Sequence, residues 1–220
     1  MSNAPMAGQA DRASATMPDQ TCARYPVAEL FCTLQGEGAN AGTAATFIRL
    51  GGCGNGCPWC DSPEAQTTRG CRWMTAAEIA AEADAHGVAT AVITGGEPLL
   101  HDLTQLTREL HDNNIRTLLE TSGTHPLSGT FDWICLSPKS FAPPVDELFA
   151  AADELKVVIA DRSGFDYAEQ CAARTTAKCR LYLQPEWNSR ETVTPEIVDY
   201  IKRHTAWRLS LQTHKFIDIP

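Results

Sequence analysis

Short apolar runs separated by helical patterns place the strongest limit on how this chain can fold. TAATFIRL at 43–50 is followed by VATAVI at 88–93, IRTLLE at 115–120, DWICLS at 132–137, ELKVVI at 154–159, CRLYLQ at 179–184 and WRLSLQ at 207–212. Each is short, rich in strand formers and bounded by turn residues. Helical signals fill the gaps. TAAEIAAEADAHG opens on a capping box, Thr75 to Glu78, and closes at Gly87. Leu99, Leu103, Leu106 and Leu110 recur on one helical face. VDELFAAA and residues 165–173 supply two more helices, and Thr194 and Pro195 start a last one that runs to about His204. Strands and helices alternating at this spacing predict right-handed crossovers and a mostly parallel α/β sheet, open or closed into a barrel. Chemistry in such folds collects at the carboxyl ends of the strands. That predicts one mouth built from residues 53–60, 95–98, 121–125, 137–139 and 184–188.

At 220 residues, 43% hydrophobic and 20% charged, the chain suits one globular domain over 24–220. Residues 1–23, MSNAPMAGQADRASATMPDQTCA, lack the basic start and apolar centre of a secretory signal and read as a flexible N-terminal extension. The net charge of -9 argues against general affinity for nucleic acid or an anionic membrane, so a small-molecule partner is expected. No apolar run approaches the roughly 20 residues needed to span a bilayer. A cytoplasmic location is the resulting expectation.

GGCGNGCPWCDS at 51–62 is the patterned part of the chain. Of nine cysteines, Cys22, Cys32, Cys71, Cys135, Cys171 and Cys179 are scattered and read as small core hydrophobes. Cys53, Cys57 and Cys60 stand within eight positions. A structural zinc site wants four closed ligands, and neither a fourth nearby cysteine before Cys71 nor a histidine pair is present. A bacterial ferredoxin run would add a further cysteine followed by proline. Three thiolates suit a 4Fe-4S cluster with one iron left open to an outside ligand, and the surrounding glycines let backbone amides approach the sulfides. A zinc half-site or a chance grouping of thiols is the alternative.

The spacing C-x3-C-x2-C with Trp59 before the last cysteine, together with TGGEP at 94–98, resembles the radical S-adenosylmethionine superfamily. Further segments resemble one of its families, the 7-carboxy-7-deazaguanine synthases: ELFCTLQGEG at 29–38, FIRL, CDS at 60–62, LETSGTH at 119–125, LSPK at 136–139, LQPEWN at 183–188 and the ending WRLSLQTHKFIDIP. The likeness extends from about Tyr25 to Pro220. It implies a partial or modified (βα)6 barrel and a lyase of the queuosine and 7-deazapurine pathway. The implied reaction converts 6-carboxy-5,6,7,8-tetrahydropterin to 7-carboxy-7-deazaguanine with loss of ammonia. A deoxyadenosyl radical takes the hydrogen at C6, and Mg2+ assists the ring contraction. A homodimer and an electron donor such as flavodoxin are implied too. Readings from other directions are a glycyl-radical activase or another small radical enzyme, and a zinc-holding structural module.

The resemblance also implies roles at individual positions. Cys53, Cys57 and Cys60 would hold the cluster, and Ser62 would bind magnesium where related sequences often have threonine. Trp59, Gly95, Gly96, Glu97, Ser122, Ser137, Pro138, Lys139, Gln184, Pro185, Glu186 and Trp187 match stretches that bind the methionine-derived cofactor. Leu34, Gln35, Gly36, Arg49, Thr94, His214 and Pro220 match substrate contacts, Pro220 through its terminal carboxylate. The fork of Arg49 can pair both oxygens of a carboxylate. Read locally, Glu97 is equally a cap for a helix starting near Leu99, and Asp61 is a magnesium neighbour or a turn residue.

Overall fold

A computed structural model describes Met1 and residues 23–220; residues 2–22, nearly all of the expected extension, lie outside the described residues. The strands are β1 (Arg24–Leu34), β2 (Ala44–Leu50), β3 (Arg72–Thr75), β4 (Thr90–Gly95), β5 (Arg116–Thr121), β6 (Trp133–Leu136), β7 (Glu154–Ile159), β8 (Arg180–Pro185) and β9 (Trp207–Leu209). The helices are α1 (Ala76–Asp84), α2 (Thr104–Asp112), α3 (Asp146–Ala151), α4 (Ser163–Ala172), α5 (Arg190–Arg203) and the short α6 (Thr213–Phe216). One sheet joins the strands in the order β3-β1-β2-β4-β5-β6-β7-β8-β9. From β2 through β9 the pairings after β1 are parallel, whereas β1 lies antiparallel to both β2 and β3. The order is linear, so the sheet does not close, and the expected partial barrel is what forms.

The two faces of the sheet bury different things. Ile48, Leu50, Ile93, Leu119, Leu136, Leu155, Val157, Ile159 and Leu183 pack with Ile79, Ala83, Leu106, Leu110, Leu148, Phe149 and Ile197 of the helices in the main core. Burying each such side chain contributes about 1.5–3 kcal/mol. The opposite, inner face carries a small apolar patch of Ala45, Val92 and Leu118 with Phe47 and Trp133 against it. Farther along the same strands it turns polar, and the site begins there.

Local signals and structure differ in a few places. β1 and β3 were not legible as strands. β1 contains Pro26 and an irregularity between Val27 and Glu29, and proline is tolerated there because the ladder with β2 begins only at Val27, while the Pro26 carbonyl accepts from Gly51 N at 2.7 Å. Leu99 belongs to a 3-10 turn, Pro98–Leu100, rather than to α2, although it joins the same core. α5 begins at Arg190, five residues ahead of Pro195, which lies inside the helix. Glu186 accepts from Asn188 N at 3.0 Å and Ser189 N at 2.9 Å, and Ser189 O accepts from Val193 N at 3.0 Å, so the turn is set before the proline is reached. β9 stops at Leu209, short of the expected 212, since Ser210 and Gln212 turn inward to the site. Of the scattered cysteines, Cys135, Cys171 and Cys179 are buried as expected, but Cys32 is exposed and Cys71 half-buried.

Candidate active site

A cavity of about 460 Å3 opens on the inner face at the carboxyl ends of the strands. Its walls include Cys53, Cys57 and Cys60 from the loop after β2, Thr94 to Gly96 from β4 and its turn, Ser122, Ser137 and Lys139 from the next two loops, and Pro220 at the chain's end. Backbone packing joins the first two of these pieces. Gly96 N donates to Leu50 O and Glu97 N to Gly52 O, both at 2.9 Å. A methyl group on Gly96 would lie 2.4 Å from Gly52 O and 2.6 Å from Cys53 Cβ, so only glycine lets the turn after β4 touch the cysteine loop this closely.

Glu97, expected among the cofactor contacts, is turned beneath the cavity wall and is 1% exposed. Its carboxylate accepts from Leu99 N at 3.1 Å, Thr121 Oγ1 at 2.5 Å, Ser122 N at 2.9 Å and Ser122 Oγ. The local cap reading is therefore realised, and the same group also ties the turn after β4 to the end of β5. Ser122 Oγ in turn accepts from Asn55 of the cysteine loop at 2.7 Å.

All described cysteines are free thiols. Burial pushes the Cys57 thiol up, and Cys53 and Cys60 add to the effect, with Lys139 opposing them. A Cys57 thiolate disfavoured by burial calls for a cationic centre beside it. Among the described residues no three His, Cys, Asp or Glu side chains are grouped as ligands of a single ion. Cys53, Cys57 and Cys60 line one cavity wall, a set of three thiols that fits three corners of an iron–sulfur cube. The indole Nε1 of Trp59 is buried without a partner, a donor left for a bound group to satisfy.

Most of the other residues singled out by the sequence also reach the cavity: Leu34, Gln35, Gly36, Arg49, Ser62, Gln184 and His214 line it. Pro185, Glu186 and Trp187 instead line a small adjoining cleft shared with Trp59, Asp61 and Gln184, and the Glu186 carboxylate is spent on the turn before α5. Pro138 lines neither space. Arg49 Nε donates to Glu29 Oε2 at 2.7 Å, from the residue directly across on β1. The Ser62 hydroxyl makes no cap bond to the turn that follows it. Burial lowers the pKa of the Lys139 ammonium, with Cys57 opposing, and its Nζ donates to Ser137 O at 2.7 Å and Ser137 Oγ at 2.8 Å.

The end of the chain is fastened to the loop after β1. Gly36 O accepts from Thr213 N and Thr213 Oγ1, each at 2.9 Å, and a methyl group on Gly36 would lie 2.1 Å from His214 Nδ1. Burial lowers the His214 pKa, with Glu37 opposing. Thr33 Oγ1 donates to Pro220 O at 2.9 Å. Sequence reasoning passed over Glu37, Glu120, Lys156 and Gln212, all of which line the cavity. One signal was available: Glu154 and Lys156 alternate within the apolar run ELKVVI, which puts two charges on one face of a buried strand.

The chain matches the Radical SAM superfamily over residues 47–160. Fold and site together thus define a radical S-adenosylmethionine enzyme, a class whose cofactors are a 4Fe-4S cluster and S-adenosylmethionine. The sequence is 46% identical over 195 residues to a 7-carboxy-7-deazaguanine synthase of Flavobacterium psychrophilum, covering 89% of this chain and 92% of that protein. It is 48% identical to the 7-carboxy-7-deazaguanine synthase of Synechocystis sp., covering 89% of this chain and 93% of that protein. The crystal structure of QueE from Escherichia coli superposes with a TM-score of 0.75 at 31% identity, covering 87% of this chain and 95% of that one. The chain belongs to the 7-carboxy-7-deazaguanine synthase family, a family of lyases. Among the described residues no helix is long and apolar enough to cross a membrane.

Proposed function

We propose that this chain converts 6-carboxy-5,6,7,8-tetrahydropterin to 7-carboxy-7-deazaguanine with release of ammonia. The observation that carries the reading is the meeting of the three thiols of the 53–60 loop with Arg49, His214 and Pro220 in one cavity. When bound, the cluster and S-adenosylmethionine supply the deoxyadenosyl radical that takes the hydrogen at C6. Cys53, Cys57 and Cys60 hold the cluster. Gly95, Gly96, Ser122, Ser137, Lys139 and Gln184 bind the cofactor from the cavity wall, with Trp59 packing beside them. Pro138, Pro185, Glu186 and Trp187 support that wall from behind and from the adjoining cleft. Glu97 acts from beneath, fixing Ser122 in place.

On the substrate side, Arg49 faces the pterin carboxylate, since it lines the cavity and Glu29 occupies only its Nε. Leu34, Gln35, Gly36, Thr94 and His214 shape the rest of the pocket. The Pro220 carboxylate accepts from ring N–H groups. Ser62 offers its uncommitted hydroxyl as a hard oxygen ligand to Mg2+. The reading extends to a homodimer fed by a one-electron donor such as flavodoxin, working in the cytoplasm.

Protein purified without oxygen and reconstituted with iron and sulfide is incubated with the carboxypterin, S-adenosylmethionine, Mg2+ and a strong reductant. The expected product is the deazapurine, identified by mass, from a brown protein. A colourless, zinc-loaded protein that makes none would sink the enzyme reading and favour a structural module.

A further inference from the structure

The inner face carries a charge cluster with no part in the roles assigned so far. Lys156 projects from β7 and is 3% exposed. Its ammonium donates to Glu37 Oε2 at 2.5 Å and to Glu120 Oε2 at 2.8 Å. The two carboxylates come from distant parts of the sequence, Glu37 from the loop after β1 and Glu120 from β5, and both line the cavity. Their other oxygens are fixed as well. Gln212 Nε2 donates to Glu37 Oε1 at 2.8 Å, and Gln35 Nε2 donates to Glu120 Oε1 at 3.1 Å. An exposed ion pair contributes little, but groups this deep keep their charge only when paired and hydrogen-bonded.

We infer that Lys156 is a positioning residue: standing between Glu37 and Glu120, it holds both as ionised acceptors on the cavity wall for a ligand that brings N–H donors. This rests on the pterin reading, because a pterin ring presents such donors along one edge. Two carboxylates drawn together without an intervening cation share a proton. That proton turns an acceptor into a donor, which then faces the ligand's own donors.

Other charged or titratable groups surround the ammonium. Cys135 reaches it from β6, Glu154 from its own strand, Lys139 from the loop after β6 and His214 from the C-terminal segment. Burial keeps Cys135 neutral by pushing its thiol well up. Burial also raises Glu154, with Lys156 opposing; one of its oxygens accepts from Ala39 N and Trp133 Nε1, and the other has no partner. Burial disfavours the charged forms of Lys139 and His214. None of these neighbours takes over the task of donating to both carboxylates.

The test titrates 6-carboxypterin, a stable oxidised relative of the proposed substrate, into the cluster-loaded protein with S-adenosylmethionine, following affinity by calorimetry. Wild-type affinity should vary less than about threefold between about pH 5.5 and 7, where the pterin ring keeps its N–H donors, while Lys156→Met should bind about tenfold weaker at the acid end and recover with rising pH. An equal loss at every pH means a packing role and overturns the inference, as does no loss at all. A second arm needs no ligand. Lys156→Met should melt at lower temperature than wild type, and Lys156→Met/Glu37→Gln, which removes one negative charge along with the positive one, should regain part of that loss. A double variant that melts no higher than the single one overturns the inference, even where the single variant is too unstable to titrate. Wild-type protein that ignores 6-carboxypterin at every pH counts against the pterin reading, and the melting arm then decides the role of Lys156 alone.

Discussion

Gly96→Ala is the sharpest single test of how the site is assembled. The new methyl would sit 2.4 Å from Gly52 O, 2.6 Å from Cys53 Cβ and 2.7 Å from Ala65 O. A relaxed carbon–oxygen contact is about 3.3 Å or more, so the turn after β4 and the cysteine loop must part by roughly 0.5–1 Å. No rotamer relieves this, because two of the three atoms are backbone carbonyls. Gly52 O already accepts from Glu97 N and Leu50 O from Gly96 N, both at 2.9 Å, so parting stretches both bonds. Overpacking of this kind costs about 1–3 kcal/mol. For a domain of this size that lowers Tm by roughly 2–12 °C. A displacement of this order within a reaction centre lowers turnover by about 100-fold. The assays are thermal unfolding of the apo protein and turnover of the reconstituted enzyme with the carboxypterin. A variant with wild-type Tm and wild-type turnover would refute the claim that the two motifs are locked through this glycine.

Three further outcomes are expected. Glu97→Gln places an amide where a buried carboxylate receives four donors, and the resulting mismatch should cost about 1–3 kcal/mol in urea unfolding; unchanged stability would show that the network under Ser122 carries no weight. Cys57→Ala should abolish cluster loading, read as loss of bound iron with an unaltered far-ultraviolet spectrum, and iron retained at the wild-type level would count against the three-thiolate assignment. Burial alone would raise the Glu37 carboxyl, but Lys156 and Gln212 bring it down to about 2 from an ordinary 4.5. Its ionisation therefore stabilises the fold fully above about pH 4.5, and that contribution is lost as pH falls toward 2. Glu37→Gln should flatten the acid limb of stability in that window, and an unchanged limb would place the acid sensitivity elsewhere.

Much of the fold was legible because the parallel strands are buried on both faces and read as short apolar runs. β7 was found at its full length, and the start of α1 was marked by its capping box, although the helix ends at Asp84, three residues short of Gly87. The antiparallel β1 was missed because its register with β2 and β3 rests on pairing across the sheet, which a segment containing Pro26 and Glu29 does not advertise. Trp187 and Glu186 stood out as motif residues, yet the backbone turn before α5 sends them to the adjoining cleft.

Sequence alone determined the α/β alternation, the three-thiolate loop and the family, since each is written in local spacing. Only the tertiary structure decided which polar residues face the cavity together. Glu37, Glu120, Lys156 and Gln212 meet through a loop, two strands and the C-terminal segment. Their partnership exists only because the crossovers bring one face of every parallel strand around a shared space. Local sequence cannot reveal it, because the energy of a buried charge depends on its neighbours in space.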